Sequence, residues 1–112
     1  MSLEILKLMN IIEEFRKLDT EMQAQSMLTL CIVSQGDEAD SLVTVKEIGE
    51  KLGITSASAS RNVSVLSKWS RHDREGHNLV EAFENPKRRV EKFVRLTHKG
   101  KQVIKTVERC LQ

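Results

Sequence analysis

Proline occurs once in the 112 residues and glycine five times, so few breaks interrupt the chain. It reads as one domain over residues 1 to 112 rather than as modules on linkers. Long hydrophobic runs are also missing: each apolar stretch is only a few residues long, which excludes a membrane-spanning helix. The start, Met1-Ser2-Leu3-Glu4, has neither a basic region nor a small-residue cleavage site, so no export signal is expected. Cysteine is limited to Cys31 and Cys110, with no CxxC spacing. Both fall on apolar helical stripes, where cysteine behaves as a small buried hydrophobe, and a reducing, cytoplasmic setting fits best. No glycine-rich phosphate loop, nucleophile elbow or metal-ligand cluster is present. No catalytic residue, metal or cofactor is therefore expected, and an enzyme is the least favoured class.

What is present is charge, unevenly placed. Residues 1 to 60 hold 5 Lys or Arg against 10 Asp or Glu, whereas residues 61 to 112 hold 13 against 6. The overall net charge of +2 conceals a basic C-terminal half that suits a polyanion. On charge alone, nucleic acid and acidic lipid both qualify.

The apolar pattern predicts two helices within residues 1 to 34. In the first, over residues 2 to 18 with Ser2 as cap, Ile5, Leu8, Met9, Ile12 and Phe15 follow one helical face. Leu3, Leu6 and Ile11 widen that stripe beyond what one neighbour needs, which points to a second contact with another chain. Thr20 and Gln23 form a capping-box pattern for the second helix, which carries Ala24, Met27, Leu28 and Cys31 and ends near Ser34. Residues 35 to 40 read as a polar loop, and Ser41-Leu42-Val43 as a short strand.

Residues 44 to 69 carry the strongest pattern. Thr44 and Glu47 make a capping box, Val45, Ile48 and Leu52 share a face, and Gly53 terminates the helix. Gly49 lies beside that face, where a missing side chain admits another helix. Thr55 or Ser56 then caps a helix expected to reach Trp69. A helix, a short turn with glycine and a second helix are the layout of a helix-turn-helix. In the second helix Ala59, Val63 and Leu66 mark the buried side, and Ala57, Ser58, Arg61, Ser64, Val65 and Lys68 turn outward. The small residues Ser56, Ser58, Ser60 and Ser64 are poor helix formers, so solubility is a weak reason for them. Small side chains let a helix sink into the major groove, hydroxyls donate to bases or phosphates, and Arg61 can pair with guanine or clamp a phosphate.

Residues 70 to 78 read as a polar connection with some phosphate contact. His72 and His77 lie in it, but their spacing matches no metal motif. Over residues 79 to 96, Leu79-Val80-Glu81-Ala82-Phe83 and Val90-Glu91-Lys92-Phe93-Val94-Arg95-Leu96 alternate like strands, with Val90, Val94 and Leu96 on one side. Between them Glu84-Asn85-Pro86-Lys87-Arg88-Arg89 joins a turn signal to three cations. A basic hairpin placed after a helix-turn-helix is a wing, whose Lys87, Arg88 and Arg89 can follow a phosphate backbone or enter the minor groove. Thr97 caps a last helix over residues 97 to 112, with Val103, Ile104, Val107 and Leu111 as its stripe and Lys99, Lys101 and Lys105 exposed. That stripe packs on the first helix of the same chain or of a partner.

The run Val45-Lys46-Glu47-Ile48-Gly49-Glu50-Lys51-Leu52-Gly53-Ile54, the segment Ser60-Arg61-Asn62-Val63 with Leu66, and the wing Asn85-Pro86-Lys87-Arg88-Arg89 followed by Val94-Arg95-Leu96-Thr97-His98-Lys99-Gly100 together resemble the multiple-antibiotic-resistance-regulator (MarR) family. The resemblance covers residues 44 to 103, and the stretch from Ser60 to Trp69 also looks like a short phage- or prophage-associated branch. It implies a bacterial or phage-encoded regulator that binds a roughly palindromic duplex as a homodimer joined through its terminal helices. Two departures stand out. Lys87 occupies the place where the family's wing often carries an acid that braces the wing arginine, and the chain is short for the family. No small-molecule effector is indicated.

The expectation is thus a mainly α fold with a small β-hairpin wing, a winged helix-turn-helix. Its expected DNA-binding residues are Thr55, Ser56, Ser58, Ser60, Arg61, Ser64, Val65, Lys68, Lys87, Arg88 and Arg89. Its expected dimer interface comprises Leu3, Leu6, Ile11, Ile104, Val107 and Leu111. The expected partners are double-stranded DNA and a second copy, and the expected role is transcription regulation. The alternatives are an accessory role in replication, excision or partition, and a winged helix used for protein contacts.

Overall fold

The computed structural model describes residues 2–68 and 75–112. Along them run α1 (Leu3–Leu18), α2 (Ala24–Glu38), β1 (Val43–Thr44), α3 (Val45–Leu52), α4 (Ser56–Leu66), β2 (Val80–Asn85), β3 (Arg88–Leu96) and α5 (His98–Cys110). Local capping sets where most of the helices start. Ser2 Oγ accepts the Ile5 N–H at 3.4 Å. Thr44 Oγ1 accepts the Glu47 N–H while Glu47 Oε1 accepts the Thr44 N–H, both at 3.1 Å. Thr55 Oγ1 accepts the Ser58 N–H at 3.1 Å, and Thr97 Oγ1 the Gly100 N–H at 3.0 Å. Gly53 ends α3 at φ 68°, a left-handed conformation that favours glycine.

The second helix differs from its expected form at both ends. Gln23 is the N-cap and makes no side-chain cap bond, so the Thr20–Gln23 box does not form. Asp19 turns the chain instead: its Oδ1 accepts the Glu21 N–H at 2.9 Å and its carbonyl the Met22 N–H at 3.1 Å. Beyond Ser34 the expected loop is helical as far as Glu38. Gly36 weakens the helical signal in the sequence but serves the packing. A Cβ there would lie 2.9 Å from the Ser41 carbonyl oxygen and 3.2 Å from Val43 Cγ1, so the chain entering β1 passes against bare backbone.

The sheet is antiparallel, with β3 between β1 and β2. Val43 lies opposite Val94, and Val80 and Ala82 lie opposite Leu96 and Val94. β1 is too short to reach the backbone of Leu96, and Asp37 substitutes for it: its Oδ2 accepts the Leu96 N–H at 2.8 Å. Val43, Val80, Val94 and Leu96 bury against Leu30, Val33, Ile48, Ala59 and Leu66, the core that holds α3 and α4 beneath the sheet. Where α3 meets α4, a Cβ on Gly49 would lie 3.2 Å from the Ile54 carbonyl oxygen and 3.5 Å from the Ala59 Cβ, as the predicted close approach requires.

The fourth helix stops at Leu66, short of Trp69, which lies outside the described residues together with residues 70–74. The returning chain takes its last carbonyls: the Leu79 N–H reaches the Leu66 oxygen at 2.7 Å and the His77 N–H the Val65 oxygen at 3.1 Å. In the hairpin, Glu84 pairs with Lys92 but Asn85 with Arg88, so Arg89, Val90 and Glu91 have no partner on β2. That break takes Val90 away from the face it was expected to share with Val94 and Leu96, and leaves it 93% exposed.

The first helix also departs from its expected orientation. Of the expected core face only Phe15 is buried, whereas Ile5, Leu8, Met9 and Ile12 are exposed alongside Leu3 and Leu6. Ile11, expected on the outer contact, packs on the chain's own core with Phe15 and Leu18. Only the C-terminal part of α1 lies over the core, so the apolar side chains of its N-terminal turns stay exposed. α5 runs beside α1. Its Val107 is buried within the chain, Ile104 is half-buried against the core, and Leu111 is exposed. Helix, turn, helix and a following hairpin make this a winged helix-turn-helix, mainly α with a small antiparallel sheet.

Candidate nucleic-acid interface

Helix α4 is fixed from beneath. Ala59, Asn62, Val63 and Leu66 are its buried residues, spaced as one helical stripe. Asn62 was not anticipated. Its Nδ2 donates to Gln25 Oε1 on α2 at 3.3 Å, so a polar bond within the packed face locks α4 to α2. The signal was available, because Asn62 stands three residues after Ala59 and four before Leu66.

The outward positions fall where expected. Thr55, Ser56, Ala57, Arg61, Val65 and Lys68 are exposed, and Ser58, Ser60 and Ser64 are half-buried. Five of these side chains line two grooves flanking the helix: Ser56 and Ser60 one, and Ser58, Arg61 and Val65 the other. One, of about 510 Å³, runs between the starts of α3 and α4 and the wing, and is lined by Lys46, Ser56, Ser60, Arg88, Val90, Glu91 and Lys92. The other, of about 450 Å³, lies toward the turn between α1 and α2 and is lined by Asp19, Glu21, Gln25, Ser58, Arg61, Asn62 and Val65. The wing-side groove contains three cations and one carboxylate. Among the described residues, the opposite groove is lined by two carboxylates and one cation, Arg61.

Arg61 is held along its own helix. Its Nη2 donates to Ser58 Oγ at 3.1 Å, and Thr55 Oγ1 donates to the same oxygen at 3.1 Å. No carboxylate pairs with Arg61 among the described residues, so its remaining donors stay available.

Lys87, Arg88 and Arg89 are all exposed at the wing tip. Asn85 Oδ1 accepts the Lys87 N–H at 3.0 Å and closes the turn. Glu91 then braces it: Oε2 accepts from Asn85 Nδ2, and Oε1 pairs with Arg88 Nη1, both at 3.3 Å. The wing arginine Arg88 is thus braced by an acid from the unpaired segment of β3. Sequence reasoning did not find Glu91, Lys46 or Lys92, since their proximity depends on the hairpin folding back over α3. Arg95 faces elsewhere, paired with Glu81 and stacked 4.5 Å above the Phe83 ring.

Burial raises the Cys31 thiol above its ordinary value. Of the two histidines considered as ligands, His72 lies outside the described residues, and His77 Nε2 sits 3.5 Å from Asp19 Oδ2. Among the described residues no three His, Cys, Asp or Glu side chains gather as a metal site. Among the described residues no helix is long and apolar enough to cross a membrane.

No protein-family model matches the sequence, and no curated protein matches it. Solved structures match the fold. S. aureus MepR in complex with DNA superposes with a TM-score of 0.74 at 14% identity, over 92% of this chain and 73% of that one. A MarR transcriptional regulator from Methanosarcina mazei Go1 gives 0.69 at 16% identity, over 97% and 68%. A mutant MarR from E. coli complexed with operator DNA gives 0.68 at 18% identity, again over 97% and 68%. Across such matches this chain spans between 56% and 77% of the other chain's length. The fold is therefore that of MarR-type winged-helix regulators.

Proposed function

We propose that this protein is a MarR-like regulator of transcription that binds double-stranded DNA sequence-specifically as a homodimer, each copy one winged-helix domain over residues 1 to 112. The observation that carries this reading is the juxtaposition of an exposed, small-residue α4 surface with a braced cationic wing across one open groove. α4 enters the major groove, with Ser56, Ser60, Arg61, Ser64 and Val65 toward the bases, Ser58 behind Arg61, and Thr55 and Lys68 toward the backbone. Lys87, Arg88 and Arg89 follow the phosphates or the adjacent minor groove. Similarity of fold to structures of MepR and MarR bound to DNA supports the assignment.

Homodimerisation rests on α1. Burying Leu3, Leu6 and the neighbouring exposed apolar residues against a second copy, together with Leu111, would contribute about 1 kcal/mol per side chain, since each is already partly covered. Two-fold symmetry of the protein then requires an inverted repeat in the DNA. Selection of bound sequences from a random duplex pool at fixed salt tests the reading. Enrichment of an inverted repeat is expected; an unenriched pool would overturn it.

A further inference from the structure

The two grooves beside α4 differ enough in charge to divide the work of DNA recognition between them. We infer, on the basis of the DNA-binding reading above, that Arg61 reads a base edge rather than a phosphate and that Ser58 is the positioning residue that holds it there. A phosphate approaching Arg61 would enter the groove lined by Asp19 and Glu21, where like charge opposes it. The wing-side groove sets Lys46, Arg88 and Lys92 against a single carboxylate, Glu91, which pairs with Arg88, so its balance is cationic and suits the backbone. A guanine edge is neutral overall and offers two acceptors, O6 and N7, so it satisfies the guanidinium without bringing a charge against the carboxylates.

Positioning follows from the hydroxyl relay. Ser58 Oγ accepts from both Thr55 Oγ1 and Arg61 Nη2, each at 3.1 Å, which occupies its two lone pairs. Its own proton must then point away from both partners. One Arg61 nitrogen is tied to the helix, and the long side chain loses rotational freedom before DNA arrives, so less is lost on binding. Thr55 meanwhile accepts the Ser58 N–H, so the relay is anchored on the helix cap.

The test uses the duplex selected on the wild-type protein and its single-base-pair variants, with wild type, Ser58→Ala, Ser58→Thr, Arg61→Ala and the double variant Ser58→Ala with Arg61→Ala. Ser58→Ala keeps the backbone cap and places a better helix former in α4, so a loss does not reflect a weakened helix. Arg61→Ala should reduce preference for one G·C pair by about tenfold or more, with the salt slope unchanged. Ser58→Ala should reduce preference at that same pair by about three- to tenfold, and Ser58→Thr should restore it. The double variant should be no worse than Arg61→Ala alone, because Ser58 acts through Arg61. Additive losses, or a salt slope that falls by about one in Arg61→Ala, would overturn the inference while leaving DNA binding intact. A wild-type protein with no preference for any duplex would instead overturn the DNA-binding reading, and this inference with it.

Discussion

On α1 the exposed side chains include Leu3, Ile5, Leu6, Leu8, Met9 and Ile12, whereas on α4 they are Ser56, Ala57, Arg61 and Val65. Both helices pack one side on the same core, yet their free sides have opposite chemistry. Water penalises the α1 face and solvates most of the α4 face. The first gains by meeting another apolar surface, and the second by exchanging water and counterions for a polyanion. A monomer therefore leaves one face unfavourably hydrated and the other at little cost, so on the proposed reading changes at the wing should alter DNA binding without altering oligomeric state.

The sharpest way to break that comparison is to charge the apolar face. Leu6→Glu with Met9→Glu should convert a dimer to a monomer in sedimentation velocity, and binding to an inverted repeat should weaken by about 100-fold or more as linkage between half-sites is lost. An unchanged dimer would remove α1 from the interface. Charge removal at the wing comes next. Lys87→Ala, Arg88→Ala and Arg89→Ala combined should lower the slope of log affinity against log salt by about 2–3, read from mobility shifts across a salt series, with oligomeric state untouched. A smaller drop, by about 1 each, is expected for Lys46→Ala and Lys92→Ala if the backbone lies in the groove they line. If their slopes match wild type, the phosphates pass only over the wing tip. The smallest expected effect is Asp37→Ala, which frees the Leu96 N–H at the base of the wing and should cost about 1–2 kcal/mol in urea unfolding. An unchanged midpoint would mean that water replaces the carboxylate there.

The legible parts of the molecule were those governed by neighbours in sequence. The Thr44–Glu47 capping box, Gly53 as terminator, and the caps at Ser2, Thr55 and Thr97 involve residues within about one helical turn of one another. The outward face of α4 was legible because helical geometry fixes it once Ala59, Val63 and Leu66 are known to be buried. α1 was misread because its apolar residues nearly encircle it, and periodicity cannot choose among several apolar sides. Gly36 and Asp37 were misread as loop because both are weak helix formers, and their compensating partners, Val43 and Leu96, lie outside the local window. At the wing, strand alternation placed Val94 and Leu96 correctly but failed at Val90, beyond the break in register.

By itself the sequence determined where α3 and α4 begin, which side of α4 faces outward, and that a cationic turn follows them. Capping bonds, helical periodicity and turn chemistry act over a few residues, so the order of residues suffices to specify them. Only the tertiary structure decided that α1 leaves its N-terminal apolar turns uncovered and that Glu91 braces the wing. It likewise placed Lys46 and Lys92 in one groove and left Arg61 across the helix from them, beside Asp19 and Glu21. Those relations join residues that the chain separates widely or whose side chains meet through a break in strand register, and packing alone fixes such distances.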